Sequence, residues 1–106
     1  MATKLEETHA VDADGNPAGG QTRGTGLDIT WQDGPIGKGK EPNGASVEAI
    51  IEAAIGRLEF YQGAADGKFA CLENAYAIGR LEAALAWLDK RTAKREARGV
   101  EGTNTP

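Results

Sequence analysis

The sequence predicts an α+β protein in which a short antiparallel β meander precedes a long antiparallel αα-hairpin that oligomerises. Two observations predict the fold: glycine and proline are concentrated in the first half of the 106 residues, and apolar residues recur at helical spacing in the second. A third predicts association, because each helix carries two apolar strips. The predicted parts are residues 1–42, a polar amino-terminal tail with a small β region, and residues 43–106, a helical hairpin domain with a carboxy-terminal tail.

The β region begins with a polar stretch, residues 1–8, which predicts a frayed end. A short extended piece from His9 is followed by the turn residues Asp14-Gly15-Asn16-Pro17, and residues 21–26 can return antiparallel to it. The clearest strand is 27–32, where apolar and polar residues alternate. A sheet this small needs a helix or a partner chain beside it.

The loop 34–44 reads GPIGKGKEPNG and invites comparison with a phosphate-binding loop. That motif requires Ser or Thr after its lysine, whereas Glu41 follows Lys40, so a flexible connection is favoured. The first helix is predicted to begin near Asn43 or Ser46, either of which can cap it, and to end at Gln62-Gly63. Its main apolar stripe consists of Val47, Ile50, Ile51, Ala54, Leu58 and Tyr61.

The second helix is predicted over Phe69–Arg98, with Gly99 as its carboxy-terminal cap and a non-helical tail after it. The connector 63–68 is short enough to make the two helices antiparallel. The main apolar stripe of this helix consists of Cys71, Ala75, Ile78, Leu81, Leu85 and Leu88.

A second apolar strip lies off the main seam of each helix. A pair of helices buries one strip, so the other predicts association between chains, most simply as a two-fold dimer. The alternative is that the amino-terminal sheet covers this strip within one chain. The strips consist of Ala49, Ala53, Gly56 and Phe60 on the first helix, and Leu72, Tyr76, Ala83 and Trp87 on the second.

Composition narrows the function classes. A net charge of −4 argues against nucleic acid polymers and anionic membranes as partners, and no apolar run is long enough to span a bilayer. The single cysteine, Cys71, fits a reducing compartment, so a cytoplasmic protein is expected. His9 is the only histidine and no catalytic or metal-ligating cluster is apparent. We therefore expect neither an enzyme nor a cofactor.

Binding groups are more apparent than catalytic ones. Arg91, Arg95 and Arg98 are spaced by four and three residues, so they share one helical face and can converge on phosphates. Phe69 offers a ring for stacking and Asn74 an amide for a base edge or ribose. The alternative is a solvated helix end whose cations complement the helix dipole, with aromatic residues in the core.

Three motifs in the second half carry a family resemblance. They are R-T-x-x-R-x-x-R-G-V-E-G-T over 91–103, Glu73-Asn74-Ala75, and L-E-A-A-L-x-W-L over 81–88. Together they resemble the hairpin domain shared by two phage sponge families, anti-Thoeris (Thoeris anti-defence protein 1) and anti-CBASS protein 2. The resemblance covers about residues 43–103, and the strand-rich segment before it is more similar to the anti-Thoeris branch.

The resemblance implies a non-catalytic protein that sequesters a cyclic nucleotide immune signal. The expected ligand is a cyclic ADP-ribose isomer or a cyclic oligonucleotide, bound between chains of a dimer or hexamer. It further implies that the three arginines contact phosphates, Phe69 stacks on a base, Asn74 makes a polar contact, and Gly102-Thr103 closes over the ligand. The alternative function is a helical oligomerisation or adaptor protein with no small-molecule ligand.

Overall fold

A computed structural model of the protein describes residues 4–37, 39 and 41–106. Within these residues there are three strands and two helices in this order: β1 Glu6–Val11, β2 Pro17–Gly24, β3 Leu27–Thr30, α1 Val47–Gly67 and α2 Leu72–Ala97. This confirms the predicted α+β class. The described residues form two compact units, one within the bounds Met1–Ser46 and Arg95–Pro106 (the sheet unit), and the other Val47–Lys94 (the hairpin unit).

The three strands form one antiparallel sheet in the order β1-β2-β3. The turn between β1 and β2 is built on Asp12, whose Oδ1 accepts hydrogen bonds from the N–H groups of Asp14 (2.9 Å) and Asn16 (3.0 Å). This is the side-chain-to-backbone bonding that favours Asp in turns. The prediction of a frayed end at residues 6–8 is wrong, because backbone pairing to β2 extends to Glu6.

Gly20 is required where β1 and β2 approach each other. The pairing register shifts between His9 and Val11, and Gly20 lies opposite His9 with a φ of +132°. A Cβ at this position would collide with the carbonyl oxygen of Thr8. Glycine therefore permits both the backbone angle and the close packing of the strands.

The buried centre of the sheet is the cross-strand pair Thr22 and Ile29, which are 3% and 8% exposed. The Trp31 indole N–H donates to Thr22 Oγ1 at 2.8 Å, so the buried hydroxyl has a partner. The predicted strand 27–32 is confirmed over β3, and Trp31 continues it as a bridge to Ala45.

Asn43 does not cap the first helix. Its side chain accepts a hydrogen bond from the Asp33 N–H (2.8 Å) and donates one to the Asp33 carbonyl (3.0 Å), which fixes the loop after β3. Ser46, the other predicted cap, directly precedes α1. Lys38 and Lys40 of the glycine–lysine loop lie outside the described residues, so the phosphate-loop comparison is not addressed.

The two helices of the hairpin run antiparallel. Gln62 bonds to Cys71 at the end where they are connected, and Glu48 lies 3.7 Å from Arg91 at the other end. Helical geometry breaks near the predicted end of the first helix: Ala64 is extended (ψ 146°), and Ala65 and Asp66 have positive φ. Among the described residues, no helix is long and apolar enough to cross a membrane.

No residue of either helix is buried. The half-buried apolar residues confirm most of the predicted seam: Ile50, Ile51, Leu58, Ile78, Leu81, Leu85 and Leu88, with Ile55, Ala64 and Ala77 in addition. Five predicted seam residues are instead exposed: Val47, Ala54, Tyr61, Cys71 and Ala75. The strips Ala49, Ala53, Gly56, Phe60 and Leu72, Tyr76, Ala83, Trp87 are exposed throughout.

The carboxy-terminal cap of α2 is the one that the sequence predicts. Gly99 has a φ of +72°, its N–H donates to the Glu96 carbonyl (3.0 Å), and the Val100 N–H donates to the Arg95 carbonyl (3.1 Å). This pair of bonds defines a Schellman motif, which turns the chain out of the helix and begins the tail.

Candidate ligand-binding site

Arg95 holds the tail that follows α2. Its Nη2 donates to the carbonyls of Val100 (3.0 Å) and Thr103 (3.1 Å), and its Nη1 donates to the carbonyl of Thr105 (2.7 Å). Its Nε lies 3.6 Å from Glu101 Oε2, and the Arg95 side chain is only 22% exposed. Because a guanidinium has five N–H groups, most of its donor capacity is committed to the tail.

Arg98 and Thr103 also take part in the tail. Arg98 Nη2 donates to the backbone oxygen of Pro106 at 2.6 Å. The Thr103 hydroxyl donates to the Val100 carbonyl and accepts from the Thr105 N–H (3.2 Å). Gly102, between them in the chain, is buried. The predicted residues Arg95, Arg98 and Thr103 therefore lie together in one hydrogen-bonded tail structure.

Arg91 belongs to the hairpin unit and has a different partner. Its Nη2 lies 3.7 Å from Glu48 Oε1, and the Arg91 side chain is 63% exposed. Ion pairs of this exposure are worth at most about 1 kcal/mol. The guanidinium of Arg91 is therefore accessible to an anion at little cost.

Phe69 lies in the turn between the helices and its ring is well exposed, at 58%. Lys68 Nζ is 5.4 Å from the ring centroid, within cation–π distance. Asn74 is half-buried in the first turn of α2.

The predicted site residues of the hairpin unit fall into two groups. Asn74 lies near the start of α2 and Arg91 in its last turns, which places them about 25 Å apart along the axis at 1.5 Å per residue. Within one hairpin they cannot contact the same small ligand. A single site containing both would need a second copy of the chain.

The sequence analysis did not single out Arg57. Its guanidinium carbon lies 4.8 Å from the Phe60 ring centroid and 4.9 Å from that of Tyr61, and its Nε donates to the Tyr61 hydroxyl at 3.2 Å. The sequence pattern that predicts this cluster was present, because spacings of three and four residues place the three side chains on one helical face. A similar pair is Trp87 and Lys90, whose Nζ is 5.0 Å from the indole.

The acidic, cysteine and histidine side chains of the described residues do not gather into a group of three that could hold a metal ion. His9 Nε2 lies 3.9 Å from Glu7 Oε1 on β1, where both side chains are exposed. Cys71 is a free, exposed thiol.

Comparison with known proteins identifies the family to which the chain belongs. Residues 24–93 match the family described as Acb2/Tad1, hairpin domain, which is well over half of the chain. The chain belongs to this family. The match begins at Gly24, the last residue of β2, and ends at Ala93 in α2, so Arg95, Arg98 and Thr103 lie beyond it.

The chain is also similar to Thoeris anti-defense 1 of Bacillus phage SBSphiJ7. It is 47% identical over 76 residues, which cover 72% of this chain and 51% of the relative. The chain thus spans about half the length of that relative. The resemblance to the anti-Thoeris sponge family is confirmed by both comparisons.

Proposed function

We propose that this protein is a phage anti-defence sponge that binds a cyclic nucleotide immune signal without cleaving it. The observation that carries the proposal is membership of the Acb2/Tad1 hairpin family together with 47% identity to a protein named Thoeris anti-defense 1. The proposed ligand is a cyclic ADP-ribose isomer, with CBASS cyclic oligonucleotides as the second class. Binding would take place in the cytoplasm of the infected host.

The groups that would recognise the ligand are accessible in the structure. Arg91 is exposed and loosely paired, and Arg98 is exposed beside the tail. Both can offer charge-assisted hydrogen bonds to phosphate oxygens. Phe69 presents an exposed ring for a base, Asn74 offers an amide, and Arg95 and Thr103 shape the tail that would close over the ligand.

Association is part of the proposal, as a dimer or a hexamer. The hairpin leaves large apolar side chains uncovered, among them Leu72, Tyr76 and Trp87, each about two-thirds exposed. A second copy would cover them and could bring Asn74 of one chain near Arg91 of another.

The same exposed strips favour one other function, a helical oligomerisation or adaptor protein without a small-molecule ligand. The two functions differ in what happens to nucleotide signals. We would titrate cyclic ADP-ribose isomers and cyclic di- and trinucleotides into the protein by calorimetry, then release bound ligand by heat and identify it by mass spectrometry. Intact ligand supports the sponge, a degraded product indicates an enzyme, and absence of binding supports the adaptor.

Arg98 gives the first test of the site. If it contacts a phosphate, Arg98→Ala should weaken binding about tenfold to a hundredfold, the loss of a charge-assisted contact worth about 1.5–3 kcal/mol. Arg98→Lys should restore binding only in part, because lysine keeps the charge and loses the planar fork. Lys94→Ala is the matched control, since it removes one exposed positive charge from the same end of α2. Equal affinity of Arg98→Ala and Lys94→Ala would remove Arg98 from the site.

A further inference from the structure

The turn between the helices holds an unfavourable backbone conformation. Ala65 (φ 52°, ψ 45°) and Asp66 (φ 56°, ψ 35°) are consecutive non-glycine residues in the left-handed region. Each such residue costs about 1–2 kcal/mol relative to the right-handed conformation. Conformations of this kind persist only where neighbouring interactions hold them, and they occur frequently at binding sites.

Gln62 supplies an interaction that holds this turn closed. Its Oε1 accepts from the Cys71 N–H and its Nε2 donates to the Cys71 carbonyl, both at 3.0 Å. One side-chain amide thus binds both backbone groups of the residue directly before α2. The chain between the two anchor points is fixed at its start by α1 and at its end by this pair of bonds.

Phe69 lies inside the segment that Gln62 closes. Two further backbone bonds shape the segment, from the Lys68 N–H to the Ala65 carbonyl (3.2 Å) and from the Ala70 N–H to the Gly67 carbonyl (3.1 Å). The result is an ordered turn that leaves the Phe69 ring 58% exposed. A turn that served only to connect two helices would gain stability from glycine at 65 and 66 and from an apolar ring turned inward.

We propose that Gln62 is a positioning residue, which through its two bonds to Cys71 holds the Phe69 ring outward as a preformed stacking surface for a nucleobase of the ligand. This inference rests on the proposed function and assigns a role to a residue that would not itself contact the ligand. A ring held in place before binding loses less conformational freedom on binding, which raises affinity.

A double-mutant cycle with Phe69 separates this role from general stabilisation. Gln62→Met keeps the length of the side chain and removes both hydrogen bonds. Gln62→Glu keeps the acceptor for the Cys71 N–H, and it replaces the donor to the Cys71 carbonyl with a charged oxygen that repels it. With the cyclic ADP-ribose isomer that the wild type binds, each should weaken binding about fivefold to tenfold. In a Phe69→Ala background each should weaken it less than twofold, because the ring that Gln62 positions is already absent.

Amide hydrogen exchange supplies a readout that is independent of ligand. Protection of the Cys71 N–H should fall at least tenfold in Gln62→Met, while amides in the middle of α2 stay unchanged. Equal weakening of binding by Gln62→Met in both backgrounds would overturn the positioning role, and so would unchanged binding in the single variant. A wild type that binds no nucleotide at all would instead refute the proposed function, and the inference with it.

Discussion

Among the residues that the structure describes, the sheet unit buries two side chains, Thr22 and Ile29, in one cross-strand pair, whereas neither helix of the hairpin unit buries a side chain. The sheet unit is stabilised by specific local features: the Asp12 turn, Gly20 between the strands, and the Trp31–Thr22 hydrogen bond. The hairpin is stabilised by one half-buried seam and exposes a second apolar strip. Buried side chains thus occur in the sheet unit and not in the two helices, and the proposed association would cover the apolar strip that the hairpin exposes.

The largest expected effect is on association. Ala83→Glu places a charge in the exposed strip of α2, and if that strip is a dry contact between copies, association should weaken about a hundredfold or more. Light scattering at micromolar concentration should show the mass fall to about that of one chain. The control is Ala13→Glu in the exposed β1–β2 turn, which should leave the mass unchanged. A wild type that is already monomeric would contradict the proposed association.

The next effect concerns the sheet unit. Gly20→Ala should destabilise it by about 3 kcal/mol or more, because the added Cβ meets the Thr8 carbonyl as well as an unfavourable φ. Gly15→Ala is the matched control: its φ is +82°, but no atom lies near the added Cβ, so about 1 kcal/mol is expected. Unfolding can be followed by Trp31 fluorescence in a Trp87→Phe background. Similar losses of stability in the two variants would show that the close packing at Gly20 is unimportant.

A smaller effect is expected in the tail. Arg95→Ala removes three hydrogen bonds to backbone carbonyls, so the Thr103 and Thr105 amides should exchange about tenfold faster. The helix cap at Gly99 should persist, because its bonds are between backbone groups. Lys94→Ala should leave tail exchange unchanged. Slow exchange in Arg95→Ala would mean that the tail is held by other contacts.

The smallest expected effect is on the stability of the hairpin, and it has opposite signs at two alanine positions. Ala65→Gly should stabilise the protein by up to about 1 kcal/mol, because glycine accepts the positive φ at this position. Ala93 is an exposed residue inside α2, so Ala93→Gly should destabilise the protein by about 1 kcal/mol. Thermal unfolding of both variants measures the difference. A loss of stability in both would argue against the left-handed conformation at Ala65.

The sequence was most informative where a side-chain pattern determines structure. Helical spacing located Ile78, Leu81, Leu85 and Leu88 on the seam, and Gly99 marked the helix end correctly. Strand β1 was missed over Glu6–Thr8 because its residues carry no apolar alternation; backbone pairing and the Asp12 turn determine it. Cys71 was misplaced because it follows the helical spacing but lies just before α2.

The site was harder to predict than the fold. Arginines at spacings of four and three are visible in the sequence, but backbone carbonyls as acceptors leave no sequence signal, so the tail contacts of Arg95 and Arg98 could not be foreseen. The same reason hides the role of Gln62, whose partners are both backbone groups. The roles of Phe69, Asn74 and Arg91 in binding remain predictions.

The tail contacts of Arg95 also bear on how this protein can diversify. Its acceptors at Val100, Thr103 and Thr105 are main-chain oxygens, which every amino acid provides. Substitutions at these positions can alter the side chains that the tail presents while the arginine continues to fix its path. Variants could thus acquire a different ligand preference by changing tail residues one at a time, with the anchoring arginine kept throughout.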